Sequence, residues 1–269
     1  MARPRAIILT GYGINCDEET AFAFRRAGAA ADIIHINDLI ENRSLLDRYQ
    51  IFSFPGGFSY GDDTGSGRAL ANRITNNLME ELLGFAGRDT LVLGICNGFQ
   101  VMINIGLVPA LKGFTGGAEA ALEYNTTFRY QCRWVDLVVE KNSPSVFTRG
   151  MERLRIPVAH GEGNFFAREE ELERIEEKGL VVMRYTTPDG APARGEFPWN
   201  PNGSMNDIAA LCDAGGRIMG MMPHPERGMF FTQRDDWTLA REEIERRGGE
   251  MPEEAEGMKI FANAVSYFA

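Results

Sequence analysis

The sequence predicts an α/β fold, a three-layer α/β/α arrangement around a mostly parallel central sheet. Three observations carry this. Short apolar, β-branched runs alternate with helical stretches through the first hundred residues, the rhythm of a parallel sheet covered on both faces. Glycine-rich turns follow several of those runs, where such sheets bind ligands. With 269 residues, 44% of them hydrophobic, the chain can bury the core of one large domain, read here as spanning 1–269.

In order, the elements are a strand "AIILT" (6–10), a helix from about 17 to 29, and strands "DIIHI" (32–36) and "IFSF" (51–54). A helix from about 68 to 85 and a strand "TLVLGI" (90–95) follow. Strand-like runs dominate the second half: "WVDLVV" (134–139), "LRIPVA" (154–159), "LVVMRY" (180–185), "IAALC" (208–212) and "RIMGMM" (217–222). These extend the sheet and add a hairpin or two. Two charged stretches, 167–179 and 233–257, read as solvated helices or excursions, the second as an insertion. Near the C-terminus Met258, Phe261, Val265 and Phe268 fall at helical spacing, which predicts a helix docked on the sheet.

Charge and cysteine usage narrow the function classes. A balance of 38 acidic against 28 basic residues, net −10, repels phosphate backbones and anionic lipid, so neither nucleic acid nor a membrane surface is expected as a partner. The first apolar run ends after about five residues, too short for a signal sequence or a membrane span. Cys16, Cys96, Cys132 and Cys212 lie far apart, with no C-x-x-C pair, which points away from a disulfide framework or metal site and toward a reducing cytoplasm.

Two glycine-rich segments invite a nucleotide reading. "GYGINC" (11–16) follows the first strand, yet cysteine stands where a dinucleotide loop needs its third glycine, and no G-x-x-x-x-G-K-[ST] occurs. "PGGFSYGDDTGSGRA" (55–69) also follows a strand and lets backbone N–H groups approach a ligand closely.

The sharper feature is "LGICNGFQVMI" (93–103), an apolar strand that turns through Gly94-Ile95-Cys96-Asn97-Gly98 into an apolar helix. This is the layout of a nucleophile elbow with cysteine at its apex, the glycines leaving room that Cβ atoms would fill. The helix start aims its positive dipole end at the sulfur, a setting for a thiolate nucleophile. The competing reading is a buried cysteine in a tight turn; the flanking strand and helix favour the elbow.

A thiolate needs a base, and the chain has only three histidines. In "MPHPER" (222–227), prolines restrict the backbone on both sides of His224. His224 and Glu226, two apart on an extended backbone, project to the same side. The carboxylate then accepts one imidazole N–H while the other nitrogen faces the thiol. Alone, H-P-E is also compatible with a solvated loop; with the elbow it completes a Cys-His-Glu triad.

Together "GICNGFQ", "PGGFSYGD", "PVAHGEGNF" (157–165), "NPNGS" (200–204) and "GMMPHPERG" resemble the glutaminase subunits of phosphoribosylformylglycinamidine synthase, class I (triad) glutamine amidotransferases of purine biosynthesis. The likeness runs from the first strand to the last helix. It implies a single flavodoxin-like α/β/α domain in which Cys96 attacks the amide of glutamine, with His224 and Glu226 as triad partners. It also implies an oxyanion hole of the Gly57 and Asn97 N–H groups, and glutamine-binding positions at Gln100, Asn125 and Tyr130, the last replacing a usual phenylalanine. No cofactor or metal is implied in this chain; ATP and magnesium belong on a synthetase partner, beside a small accessory subunit. His160 and Glu162 in "AHGEG" line the site, face the partner or are structural. "GDDTGSGRALANR" (61–73) departs from stand-alone subunits and is similar to the fused, single-chain synthase. Competing classes are another cysteine amidotransferase or γ-glutamyl hydrolase, neither expected to carry "FSYGD" with "PHPER", and a non-catalytic regulatory subunit, expected to have lost a triad residue.

Overall fold

The computed structural model describes residues 3–62, 65–114 and 117–269. Asp63 and Thr64 of the variant loop lie outside the described residues. Among the described residues nine strands form one sheet, in the order β2-β1-β3-β4-β11-β10-β9-β6-β7. They are β1 (Arg5–Thr10), β2 (Ala30–His35), β3 (Ile51–Phe54), β4 (Leu91–Ile95), β6 (Gln131–Val139), β7 (Arg153–His160), β9 (Val181–Thr186), β10 (Ile208–Cys212) and β11 (Ile218–Met221). A separate pair joins β5 (Ala121–Tyr124) to β8 (Glu162–Phe166). The pairings make seven of the nine strands run the same way, with only β10 and β6 reversed.

Residues of β3, β4, β10 and β11 are buried on both faces, which explains their continuous apolar runs. The helix α1 (Asp17–Arg26) carries Asp17, Glu18 and Glu19 in its first turn and Arg25 and Arg26 in its last. Each such charge complements the helix dipole by about 0.3–1 kcal/mol. It stops earlier than its apolar pattern predicts because Gly28 adopts φ +106°, letting the Ala29 N–H bond back to the Phe24 carbonyl. The strand that follows begins at Ala30, and His35 already caps α2 (Ile36–Glu41), its Nδ1 accepting from the Asn37 N–H at 3.2 Å.

The single helix expected over 68–85 is two, α3 (Arg68–Asn77) and α4 (Met79–Ala86), separated at Leu78 (φ −136°, ψ 2°). Asn77 turns its side chain onto the Arg73 carbonyl, and the break seats Leu78 and Leu82 in the core. The charged stretches do form helices: α6 (Glu169–Glu177), and α7 (Trp237–Arg246), which buries none of its residues. The last helix, α8 (Gly257–Ser266), packs mainly on α1 and neighbouring turns, with an edge against β7. Phe24 and Phe261 meet there edge to face at 5.0 Å between centroids, worth about 0.5–1.5 kcal/mol beyond burial. No helix among the described residues is long and apolar enough to cross a membrane.

This topology positions the site. β1, β3, β4 and β11 are adjacent and parallel, so the segments that follow them, 11–16, 55–58, 96–100 and 222–227, leave the same end of the sheet. Parallel sheets bind ligands beyond those ends.

Candidate functional site

The elbow forms where β4 meets α5 (Asn97–Asn104). Cys96 takes φ 51°, ψ −108°, a backbone setting that costs a residue bearing a Cβ about 1–3 kcal/mol. A Cβ at Gly94 would collide with Met102 Sδ, and one at Gly98 with the Phe54 carbonyl oxygen. The glycine spacing therefore has the steric cause inferred from sequence. The Cys96 N–H donates to the Met221 carbonyl at 2.7 Å, which ties the elbow to the strand leading to His224. The thiol is 4% exposed and donates to the Ala159 carbonyl at 3.6 Å.

His224 keeps an extended backbone, φ −105° and ψ 91°, but Pro225–Arg227 closes into one 3-10 turn rather than continuing extended. The turn still brings His224 Nδ1 to 2.5 Å from Glu226 Oε1. Both side chains are buried, and the His224 N–H is anchored on the Pro157 carbonyl at 2.8 Å. Among the described residues His224 Nε2 makes no hydrogen bond, nor does Glu226 Oε2. Burial opposes a charged imidazole, yet the Glu226 carboxylate, then Cys96 and Cys16, more than offset it and hold His224 well above the ordinary histidine range.

A cavity of about 180 Å³ opens over the elbow, lined by Gly57, Cys96, Gln100, Tyr130, Ala159 and Glu162, among others. Drug-sized ligands take about 300–1,000 Å³, so this space suits something the size of a free amino acid. Gly57 reaches it on a loop packed so closely that a Cβ there would lie 2.6 Å from the Gly13 carbonyl oxygen. No described group accepts from its N–H. The Asn97 side chain accepts from the Ser59 N–H at 3.2 Å and donates to Gln100 Oε1 at 2.8 Å. Gln100 Nε2 in turn donates to the Glu162 carbonyl at 2.6 Å. Tyr130 stands at the mouth, half exposed, with its ring 6.0 Å from that of Phe58.

Of the residues expected to bind glutamine, Gln100 and Tyr130 line the cavity and Asn125 does not. Asn125 is fully buried, donating to the Arg129 and His160 carbonyls, with its Oδ1 3.1 Å from His160 Nδ1. Burial, with a smaller push from His224, drives His160 down to about 3, so it stays neutral. Both it and Glu162 line the cavity, and Glu162 accepts from the Ser66 N–H at 3.2 Å.

Sequence reasoning missed two neighbours of His224. Cys16 Sγ, a His224 ring nitrogen and a Glu226 carboxylate oxygen lie within 4.8 Å of one another, and Arg227 Nη2 donates to Cys16 Sγ at 2.9 Å. These are the only three such ligand atoms clustered among the described residues, but the guanidinium against the sulfur opposes a cation there. Nothing local marks Cys16; His224, Glu226 and Arg227 lie more than two hundred residues away in the chain.

A family model described as a CobB/CobQ-like glutamine amidotransferase domain matches residues 3–268. The chain is 49% identical over 266 residues, 98% of its own length and 97% of the relative's, to phosphoribosylformylglycinamidine synthase subunit PurQ of Methanococcus maripaludis strain S2. It is 40% identical over 267 residues to the same-named protein of Dehalococcoides mccartyi, covering 99% and 98% of the two chains. Among solved structures, a chain of PurLQS from Thermotoga maritima superposes with TM-score 0.71 at 29% identity, the whole of both chains covered. A glutamine amidotransferase of the same organism, 14% identical with TM-score 0.53 and with 99% and 97% of the two chains covered, shares the fold.

Proposed function

This chain belongs to the CobB/CobQ-like glutamine amidotransferase family and to its PurQ-type subunits, and from that membership we infer that it is the glutaminase subunit of a phosphoribosylformylglycinamidine synthase. The observation that supports the reading best is the Cys96 elbow opening on one small cavity, with the buried His224–Glu226 pair close enough for Cys96 to raise the imidazole.

Glutamine enters with its side-chain amide over the elbow. The Cys96 sulfur attacks the amide carbon, and the Gly57 and Asn97 N–H groups receive the oxyanion, acting where charge develops. His224, holding the thiol's proton, passes it to the departing nitrogen, and ammonia leaves a glutamyl thioester on Cys96. Water then attacks the thioester, His224 takes its proton and returns it to the sulfur, and glutamate departs. Glu226 keeps the imidazole oriented and supports its charge. Gln100 and Tyr130 hold the amino-acid end, beside Glu162.

The ammonia serves a synthetase subunit that converts formylglycinamide ribonucleotide to its amidine with ATP and magnesium, alongside a small accessory subunit. The chain acts as one domain, with 233–257 as a charged insertion. The test pairs two nitrogen sources. In the assembled complex Cys96→Ala should lose amidine formation from glutamine and keep it from ammonium salts. Equal loss of both in a correctly assembled mutant overturns the division of labour.

A further inference from the structure

Resting on that reading of the nucleophile and its partners, we propose that Cys16 is a positioning residue of the glutaminase centre, fastening the loop that carries Gly57 to the His224–Glu226 pair. The segment 11–16 occupies the place of a dinucleotide loop, but what it grips is protein. The Phe58 N–H donates to the Gly13 carbonyl at 2.7 Å and the Tyr60 N–H to the Tyr12 carbonyl at 2.9 Å. In return the Asn15 and Cys16 N–H groups converge on the Gly56 carbonyl at 3.3 and 3.2 Å. Gly13, at φ +82°, has no room for a Cβ against the Phe58 carbonyl, so the two backbones are in contact.

The grip has a chemical consequence. In a trans peptide the carbonyl oxygen and the following N–H point to opposite sides. Holding the Gly56 oxygen at the start of α1 therefore aims the Gly57 N–H away from segment 11–16 and leaves it without an acceptor among the described residues, as an oxyanion donor must be. A flipped peptide would sacrifice two hydrogen bonds.

The Cys16 side chain joins this anchor to the dyad. Its sulfur is wholly buried, donates to Asn15 Oδ1 at 3.3 Å and accepts from Arg227 Nη2. A Cβ placed on Gly56 would touch it at 3.1 Å and His224 Nδ1 at 3.3 Å, so loop, sulfur and imidazole meet at one point. Burial raises the Cys16 thiol, which keeps it protonated, and the sulfur in turn supports the charged imidazole. His224 thus faces Glu226, Cys96 and Cys16, with Arg227 against the sulfur and His160 beyond.

The test compares Cys16→Ala and Cys16→Ser with wild type in the assembled synthase, reading glutamine hydrolysis and alkylation of Cys96 by iodoacetamide. Alkylation needs the thiolate but no oxyanion hole. Cys16→Ala should lower kcat about tenfold with KM changed less than about twofold, the scale expected for a small displacement of reacting groups. It should also lower the Cys96 alkylation rate at pH 7 relative to pH 10, because less imidazolium is available to stabilise the thiolate near neutrality. Cys16→Ser, which keeps the donor and acceptor, should restore most of both. Wild-type kcat and an unchanged alkylation profile in Cys16→Ala overturn the inference, as does equal loss in both variants with lowered melting temperature and an unchanged alkylation ratio. Absence of Cys96 labelling in wild type removes the underlying reading and the inference with it; normal labelling beside an unaffected Cys16→Ala removes the inference alone.

Discussion

His224 Nδ1 lies 2.5 Å from Glu226 Oε1 in a setting where 1% and 0% of the two side chains are exposed. The second carboxylate oxygen has no described partner, so the imidazole is the group that makes this buried charge tolerable. Removing either member exposes the other to an unpaired burial, and the two losses differ in their chemical effect.

In the proposed mechanism His224 moves protons and Glu226 orients it, so His224→Ala should be nearly inactive while Glu226→Gln retains measurable turnover. Steady-state kinetics of glutamine hydrolysis check this. A more damaging Glu226→Gln would reverse the assignment.

The buried histidines leave opposite marks on stability. The folded-state value of His224 is raised, so its contribution is full below about pH 6.5, its unfolded value, and is lost as pH rises through the folded one. The folded-state value of His160 is depressed to about 3, so its contribution is present above its unfolded value and lost as pH falls toward about 3. Urea unfolding across pH should show Glu226→Gln flattening the alkaline side and His160→Gln the acid side. Slopes identical to wild type contradict both.

Labelling by a glutamine-analogue electrophile should stop in Cys96→Ala and Cys96→Ser and persist when Cys16, Cys132 or Cys212 is replaced. Intact-mass measurement reads the adduct. Burial pushes the Cys212 thiol up to about 12, which leaves it unreactive. An adduct surviving in Cys96→Ala would remove Cys96 as nucleophile.

Gly98→Ala must push against the Phe54 carbonyl, which is backbone and cannot swing aside. Overpacking of this kind costs about 1–3 kcal/mol or more. Denaturant unfolding should show that loss, with Cys96 labelling slowed in the folded fraction. Wild-type stability and labelling together would mean that the elbow has spare room.

The cavity mouth is rimmed by aromatic groups left open to water: Phe58 is 42% exposed, Tyr124 61% and Tyr130 50%. A synthetase covering them would exclude water and strengthen every electrostatic contact inside. Glutamine hydrolysis by the isolated glutaminase is therefore expected to be slow and to rise well above that basal rate with the synthetase, nucleotide and ribonucleotide substrate. Full activity without any partner would refute this gating.

Much of the site is local and was legible without coordinates. The glycines about Cys96 and the prolines about His224 act on their immediate neighbours, and steric restriction over a few residues does not depend on what lies across the sheet. The strand runs were legible for the same reason, since burial on both faces demands apolar residues in succession. Local cues failed where the partner is distant. The break at Leu78 answers to the core, which takes up its side chain. The short β5–β8 pair has too few residues to show a period. That Cys16 braces a pair more than two hundred residues away, and that segment 11–16 grips Gly56, was decided by the adjacency of β1, β3, β4 and β11. Propensity is set by neighbours in the chain, whereas strand order is chosen by the whole core at once, and it is strand order that brings four loops to one end of the sheet, two of them onto the cavity.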